Sequence, residues 1–181
     1  LFVFVVMVVA ASKPILSIAT STIEQFAKLL NRVLRIHQNT AIYFISLSFV
    51  PLLGSFITEP AAMTLAALLL RDRFYKVGIS PKLQYATLGV LFVNVSIGGT
   101  LTNFAAPPVL MVASAWQWTT PFMFETFGIK AALAVFTNAL IVTILFNKQL
   151  PKHAEQSSQD LMPSSVVIIH LLFLAGVVIF A

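Results

Sequence analysis

Apolar residues along this chain fall into five runs separated by short polar segments. Leu1 to Ala11, Thr40 to Leu70, Leu83 to Ala115, Ile129 to Phe146 and Ser164 to Ala181 contain no Asp, Glu, Lys or Arg apart from Glu59 and Lys130. An α-helix needs roughly 20 apolar residues to cross about 30 Å of hydrocarbon, a length that all but the first run approach or exceed. The fold class predicted is an all-α membrane protein. Pro14 to Leu34 reads differently: Ile15, Ile18, Phe26, Leu29, Leu30 and Val33 recur at helical spacing against Glu24, Gln25, Lys28, Asn31 and Arg32. That pattern predicts an amphipathic arm helix in the cytoplasmic interface, within residues 14–39.

Two of the runs are too long for a single straight crossing. Thr40 to Leu70 has 31 residues, and as one helix it would measure about 46 Å. Its middle reads Pro51-Leu52-Leu53-Gly54-Ser55-Phe56-Ile57-Thr58-Glu59-Pro60, a polar tip with a helix breaker at each end. A re-entrant helical hairpin over 40–71, turning near Ser55 to Glu59, is the expectation. Leu83 to Ala115 is centred on Ser96-Ile97-Gly98-Gly99-Thr100-Leu101-Thr102-Asn103-Phe104-Ala105-Ala106-Pro107-Pro108. Such a centre between apolar flanks predicts a discontinuous transmembrane helix over 83–118. It would leave the membrane at Trp116-Gln117-Trp118, whose indoles suit the interface, with Glu125 in the loop beyond. A further transmembrane helix is expected over 129–147, with Lys130 snorkelling outward, and then a cytoplasmic loop over 148–163. Residues 1–13 and 164–181 read as truncated transmembrane helices, so the chain is expected to be part of a longer protein.

Composition agrees, with 59% hydrophobic residues, 9% charged residues and a mean hydropathy of +0.94. No ordinary water-soluble domain has that balance. Leu1 to Ala11 lacks a preceding basic segment and is not read as a signal peptide. The absence of Cys excludes disulfides and thiolate metal sites, and three scattered His residues offer no metal-ligand spacing. The net charge of +5 marks topology rather than nucleic-acid binding. Lys13, Lys28, Arg32, Arg35, Arg71, Arg73, Lys76, Lys82, Lys148 and Lys152 all lie between apolar runs, where cytoplasmic loops collect positive charge.

The chemistry concentrates in the two interrupted runs. A broken helix leaves carbonyls free at the end of its first half and amides free at the start of its second. Carbonyls near Leu53 and Gly54 and at Ser96 to Gly99 are therefore candidate cation ligands. Thr58 is expected to cap the leg begun by Pro60, and Thr102 or Asn103 to cap the segment before Pro107. Glu59 is the one acid at membrane depth, a position costly enough to mark a functional residue. Paired broken elements near the bilayer midplane are how secondary transporters hold ions and substrates. The candidate binding residues are Ser55, Thr58, Glu59, Ser96, Gly98, Gly99, Thr100, Thr102 and Asn103, with Thr58, Glu59, Gly98, Thr102 and Asn103 as sodium ligands. Asn94, Thr137 and Asn138 are read as interhelical hydrogen-bond formers, His170 as a packing or pore-facing residue, and His37 as a solvated interface residue.

Gly98-Gly99-x-x-Thr102, followed five residues later by Pro107-Pro108 and preceded by a tip containing Thr58, is similar to the pattern of the ion transporter superfamily. The fuller wording, Gly54 to Thr64 together with Gly98 to Pro108, resembles that superfamily's sodium/proton antiporter family, related to dicarboxylate symporters and arsenite permeases. The resemblance implies two inverted repeats, each with an arm, a hairpin and a broken helix, in a protein that is usually a homodimer; this chain would hold one repeat. Thr58-Glu59-Pro60 at the tip and Val109 after the prolines depart from the dicarboxylate symporters and count against a dicarboxylate substrate. The function expected is exchange of sodium for protons by alternating access. The alternatives are a sodium-coupled anion symporter of the same superfamily or a cation channel. No enzyme is expected and no cofactor beyond the transported ions. The partners expected are the lipid bilayer, the second repeat and a second copy, with no nucleic acid. The location expected is a bacterial or archaeal inner membrane, crossed several times.

Overall fold

The computed structural model describes residues 12–151 together with 165, 168–170, 172 and 176. The expectations for residues 1–11, for most of the 148–163 loop and for the continuous course of the last helix lie outside the described residues. Every regular element among the described residues is helical. Among these residues two helices, Gln38–Ile57 and Thr120–Gln149, are long and apolar enough to cross a membrane.

Helix α1 (Lys13–Leu34) ends where Arg35 turns left-handed at φ 53 and its N–H bonds the Asn31 carbonyl at 2.9 Å. Ile23 and Ala27, one turn apart, are buried against the bundle, while Phe26 and Leu29 remain exposed on the adjoining stripe. Helices α2 (Gln38–Ile57) and α3 (Glu59–Leu70) follow, and α3 continues through a π turn over Arg71–Tyr75. These two lie side by side in opposite directions. Near the tip, a Cβ on Gly54 would stand 3.0 Å from that of Ala62. At the base, the Tyr43 and Phe74 rings meet edge-on at 5.3 Å. The chain therefore doubles back, and it does so at Thr58 alone. Pro51, expected to break the helix, lies inside α2. The Leu47 carbonyl that its missing N–H leaves free accepts from Asn94 Nδ2 at 2.7 Å.

Helix α4 (Pro81–Gly98) starts on a Ser80 cap, whose hydroxyl accepts from the Leu83 N–H, with Pro81 at the first position. It runs parallel to α2, since Tyr43 meets Thr87, Leu47 meets Asn94, and Ser55 meets Gly98 and Leu101 in ascending order. A 3-10 turn (Gly99–Leu101), an extended Thr102 and a run of bends separate α4 from α5 (Pro107–Ala113). The chain between Gly98 and Pro107 is thus not α-helical. Helix α6 (Thr120–Phe146) begins nine residues ahead of the apolar run that announced it, and Glu125 belongs to the helix rather than to a loop. Thr119 caps it and Pro121 sits in its first turn, so the start signal was in the sequence, upstream of the hydrophobic pattern.

One end of the bundle gathers several segments. Arg73 pairs with Glu24 of α1, Asn39 Nδ2 donates to the Pro151 carbonyl at 2.6 Å, and Thr40 donates to Asn147 at 3.0 Å. Ser80 donates to Gln149 at 2.7 Å. The start of α2, the turn after α3, the start of α4 and the end of α6 thus lie together, and the basic residues Arg71, Arg73, Lys76, Lys82 and Lys148 lie among them. Away from that end, Leu47, Val50, Leu65, Ala66, Leu91 and Val95 form the dry contact between the hairpin and α4.

Candidate ion site at the hairpin tip

The reversal between α2 and α3 falls on one residue. Thr58 has φ 83 and ψ 147, a region that side chains branched at Cβ rarely enter, at a cost of about 1–3 kcal/mol. Its side chain does not cap α3, which starts at Glu59 with Pro60 in the first turn. The Thr58 hydroxyl is buried, at 1% residue exposure, and has no hydrogen-bond partner among the described residues. A hydroxyl without a partner in such a place costs on the order of 1–3 kcal/mol.

The tip is locked onto the break between α4 and α5. Ser55 Oγ donates to the Gly98 carbonyl and accepts from the Leu101 N–H at 3.0 Å, while Thr102 Oγ1 donates to the Ser55 carbonyl at 2.7 Å. The Glu59 N–H, orphaned at the start of α3, donates to the Ala105 carbonyl at 3.0 Å. Backbone groups freed by each interruption are therefore satisfied by the other. Gly98 is required for this approach, because a Cβ there would collide with the Pro51 carbonyl. Gly99 makes room for the acid: a Cβ there would stand 3.5 Å from Glu59 Cβ and 3.2 Å from Ala106 Cβ.

The Glu59 carboxylate lies in the first turn of α3, where the helix dipole favours negative charge. Ser96 Oγ donates to its Oε1 at 2.9 Å, and Oε2 faces Gly99. Glu59 is half-buried, and Ser96 stands on the exposed side of α4. The structure thus brings Ser55, Glu59, Ser96, Gly98, Gly99 and Thr102 together, with Thr58 beside them in the chain. It does not bring Asn103 or Thr100. Asn103 donates to the Trp118 carbonyl at 3.2 Å and accepts from Thr120 at 2.8 Å, tying down the α5–α6 connection. Thr100 bonds the Ile97 carbonyl of its own turn. Neither Thr102 nor Asn103 caps α5, whose cap position is Ala106. Ala105 and Leu101, which the residue reading passed over, enter through their main chains, and no side-chain signal could have shown them.

Among the described residues no group of three or more His, Asp or Glu side chains is placed to hold a metal ion. The oxygens available here are one carboxylate, hydroxyls and peptide carbonyls, hard ligands of the kind an alkali cation takes.

A family model described as "Putative Na+/H+ antiporter" matches residues 1–181. The chain belongs to this Na+/H+ antiporter family. No curated protein and no solved structure shows a significant match to it. Family membership and the two long apolar helices make this a membrane protein. The family is one of transporters rather than enzymes. Residues 54–64 and 98–108 are the two stretches that meet at the tip.

Proposed function

We propose that this Na+/H+ antiporter family chain exchanges sodium for protons by alternating access, with Glu59 as the group that takes up either ion. The observation that supports it most is the meeting of the two interruptions around a single carboxylate, made by the Ser55–Gly98, Thr102–Ser55 and Glu59–Ala105 hydrogen bonds. Irregular backbone at membrane depth survives only where protein or a water-filled cavity covers it, and paired broken helices supply ion ligands there. In this reading α2 and α3 form a re-entrant hairpin that enters from the basic, cytoplasmic end of the bundle. The broken α4–α5 element is the crossing beside it.

Sodium is held by the Glu59 carboxylate, the otherwise unpartnered Thr58 hydroxyl and carbonyls of the Ser96 to Gly99 turn. Ser55 and Thr102 are occupied in holding the tip in place, and both ends of the Asn103 amide are engaged at Trp118 and Thr120. Proton and sodium compete for one carboxylate, so uptake of one requires release of the other. That competition couples the two gradients. The surrounding bilayer and a second copy of the protein are the proposed partners.

The full-length protein in proteoliposomes with an imposed pH gradient tests this. Wild type is expected to give saturable, sodium-dependent proton movement, and Glu59→Gln to abolish it. A Glu59→Gln protein that exchanges at the wild-type rate would overturn the assignment, and flux that neither saturates nor needs a counter-ion would indicate a channel.

A further inference from the structure

Asn94 occupies a position that the ion chemistry does not use. It is fully buried, as is Leu47 opposite. Its Nδ2 donates to the Leu47 carbonyl at 2.7 Å and to the Val135 carbonyl of α6 at 3.1 Å. Asn138 Nδ2 in turn holds Asn94 Oδ1 at 3.0 Å. Both donors and the acceptor of the amide are thus engaged, so its orientation is fixed. The Leu47 carbonyl is available only because Pro51, four residues later, has no N–H.

The same register leads to the tip. Leu47, Pro51 and Ser55 follow one another at single turns on α2. Facing them in order stand Asn94, then Gly98, where a Cβ would collide with the Pro51 carbonyl, then Leu101 and Thr102 on Ser55. Ser96, which holds Glu59, lies on α4 between the first two of these contacts.

We propose that Asn94 is a positioning residue of the ion site. It fastens α2 to α4 and α6 through the carbonyl that Pro51 frees, so that the Ser55–Gly98 and Ser96–Glu59 pairs keep their register as access changes. Asn94 touches no ion. It acts through Leu47 and the α4 backbone, and the proposal rests on the exchange reading above. Pro51 and Asn94 are then a matched pair, each making the other necessary: restoring an N–H at position 51 makes the Asn94 donor dispensable.

The test is a double-mutant cycle in the full-length protein, using Asn94→Leu, which has the same number and branching of side-chain heavy atoms but no donor, Pro51→Ala, and the two combined. Asn94→Leu is expected to raise the sodium concentration for half-maximal exchange about tenfold, the effect of one unpaired buried carbonyl, with the maximal rate changed less. It is also expected to lower the melting temperature. In the double variant the backbone N–H restored by Pro51→Ala takes the Leu47 carbonyl, and at least half of both losses is regained. Equal losses in the single and double variants overturn the proposal, as does an unchanged half-saturating sodium concentration in a destabilised Asn94→Leu protein. Wild type that moves no sodium sinks the exchange reading and the positioning role with it. Active wild type with an uncoupled cycle sinks the positioning role alone.

Discussion

Thr58 combines a backbone conformation suited to Gly with a buried hydroxyl that nothing among the described residues satisfies. Two costs at one residue are informative together, because either would be removed by a simple substitution. Thr58→Gly is expected to relieve about 1–3 kcal/mol of strain, less about 0.5–1 kcal/mol for the added freedom of the unfolded chain. The melting temperature should hold or rise while sodium-dependent exchange falls. Lower stability with unchanged exchange would show that the hydroxyl serves the fold and not the ion. At this scale the candidate residues were legible, since Glu59 is the only acid in its run and a glycine pair stands in the middle of an apolar one. Their directions were not. Asn103 has the chemistry of a ligand, but the bends after Leu101 carry its amide to Trp118 and Thr120, and nothing in its neighbours' side chains foretells that.

Among the elements, α1 shows how a charge is used at the bundle's edge. The Arg73 side chain is 7% exposed and pairs with Glu24, which is 27% exposed. The pair clips the arm to the base of the hairpin. Glu24→Gln leaves a buried guanidinium without its counter-charge, and a loss of about 3 kcal/mol is expected, measurable as a fall in melting temperature. Asp72, one residue away, is a contrast. Partial burial pushes its carboxyl up, but hydrogen bonds and attraction from Arg71 and Lys76 outweigh this and hold it below the usual carboxylate range. A depressed carboxyl stabilises the fold above the pKa of the unfolded chain, about 3.9, and loses that contribution as pH falls through the lower folded value. Because Arg71 and Lys76 are exposed, Asp72→Asn is expected to cost less than about 1 kcal/mol at neutral pH. The difference from wild type should vanish in strongly acidic solution. Element boundaries were read less well than element types. The capping residues Ser80 and Thr119 each start a helix ahead of the apolar run that suggested it, because a cap acts on the backbone and not on the hydrophobic pattern.

For the whole molecule, the arrangement proposed in the membrane makes the two ends of the bundle chemically distinct. Basic residues of the arm, the hairpin base and the α6 end share one end, while Trp116, Trp118, Phe122 and Phe127 pack together around the α5–α6 connection. Single cysteines placed at Val77, in the loop after the hairpin, and at Gln117, between α5 and α6, are expected to react with an impermeant maleimide from opposite faces, Val77→Cys from the cytoplasm. Labelling of both from one side would exclude the proposed topology.

The chain's own order of residues determined that it is helical, that it belongs in a lipid environment, and that helix breakers stand inside the apolar runs 40–70 and 83–115. Each of those follows from local causes: apolar length, missing N–H groups at proline, and the absence of a side chain at glycine. Which interruption actually breaks a helix was decided only by the tertiary structure. Pro51 remains helical because a distant amide completes the carbonyl it exposes, whereas around Thr58 the free Glu59 N–H and Ser55 carbonyl find partners at Ala105 and Thr102. A backbone hydrogen bond carries no mark of its partner in the sequence, so the convergence around Glu59 became visible only once the two segments were placed against each other.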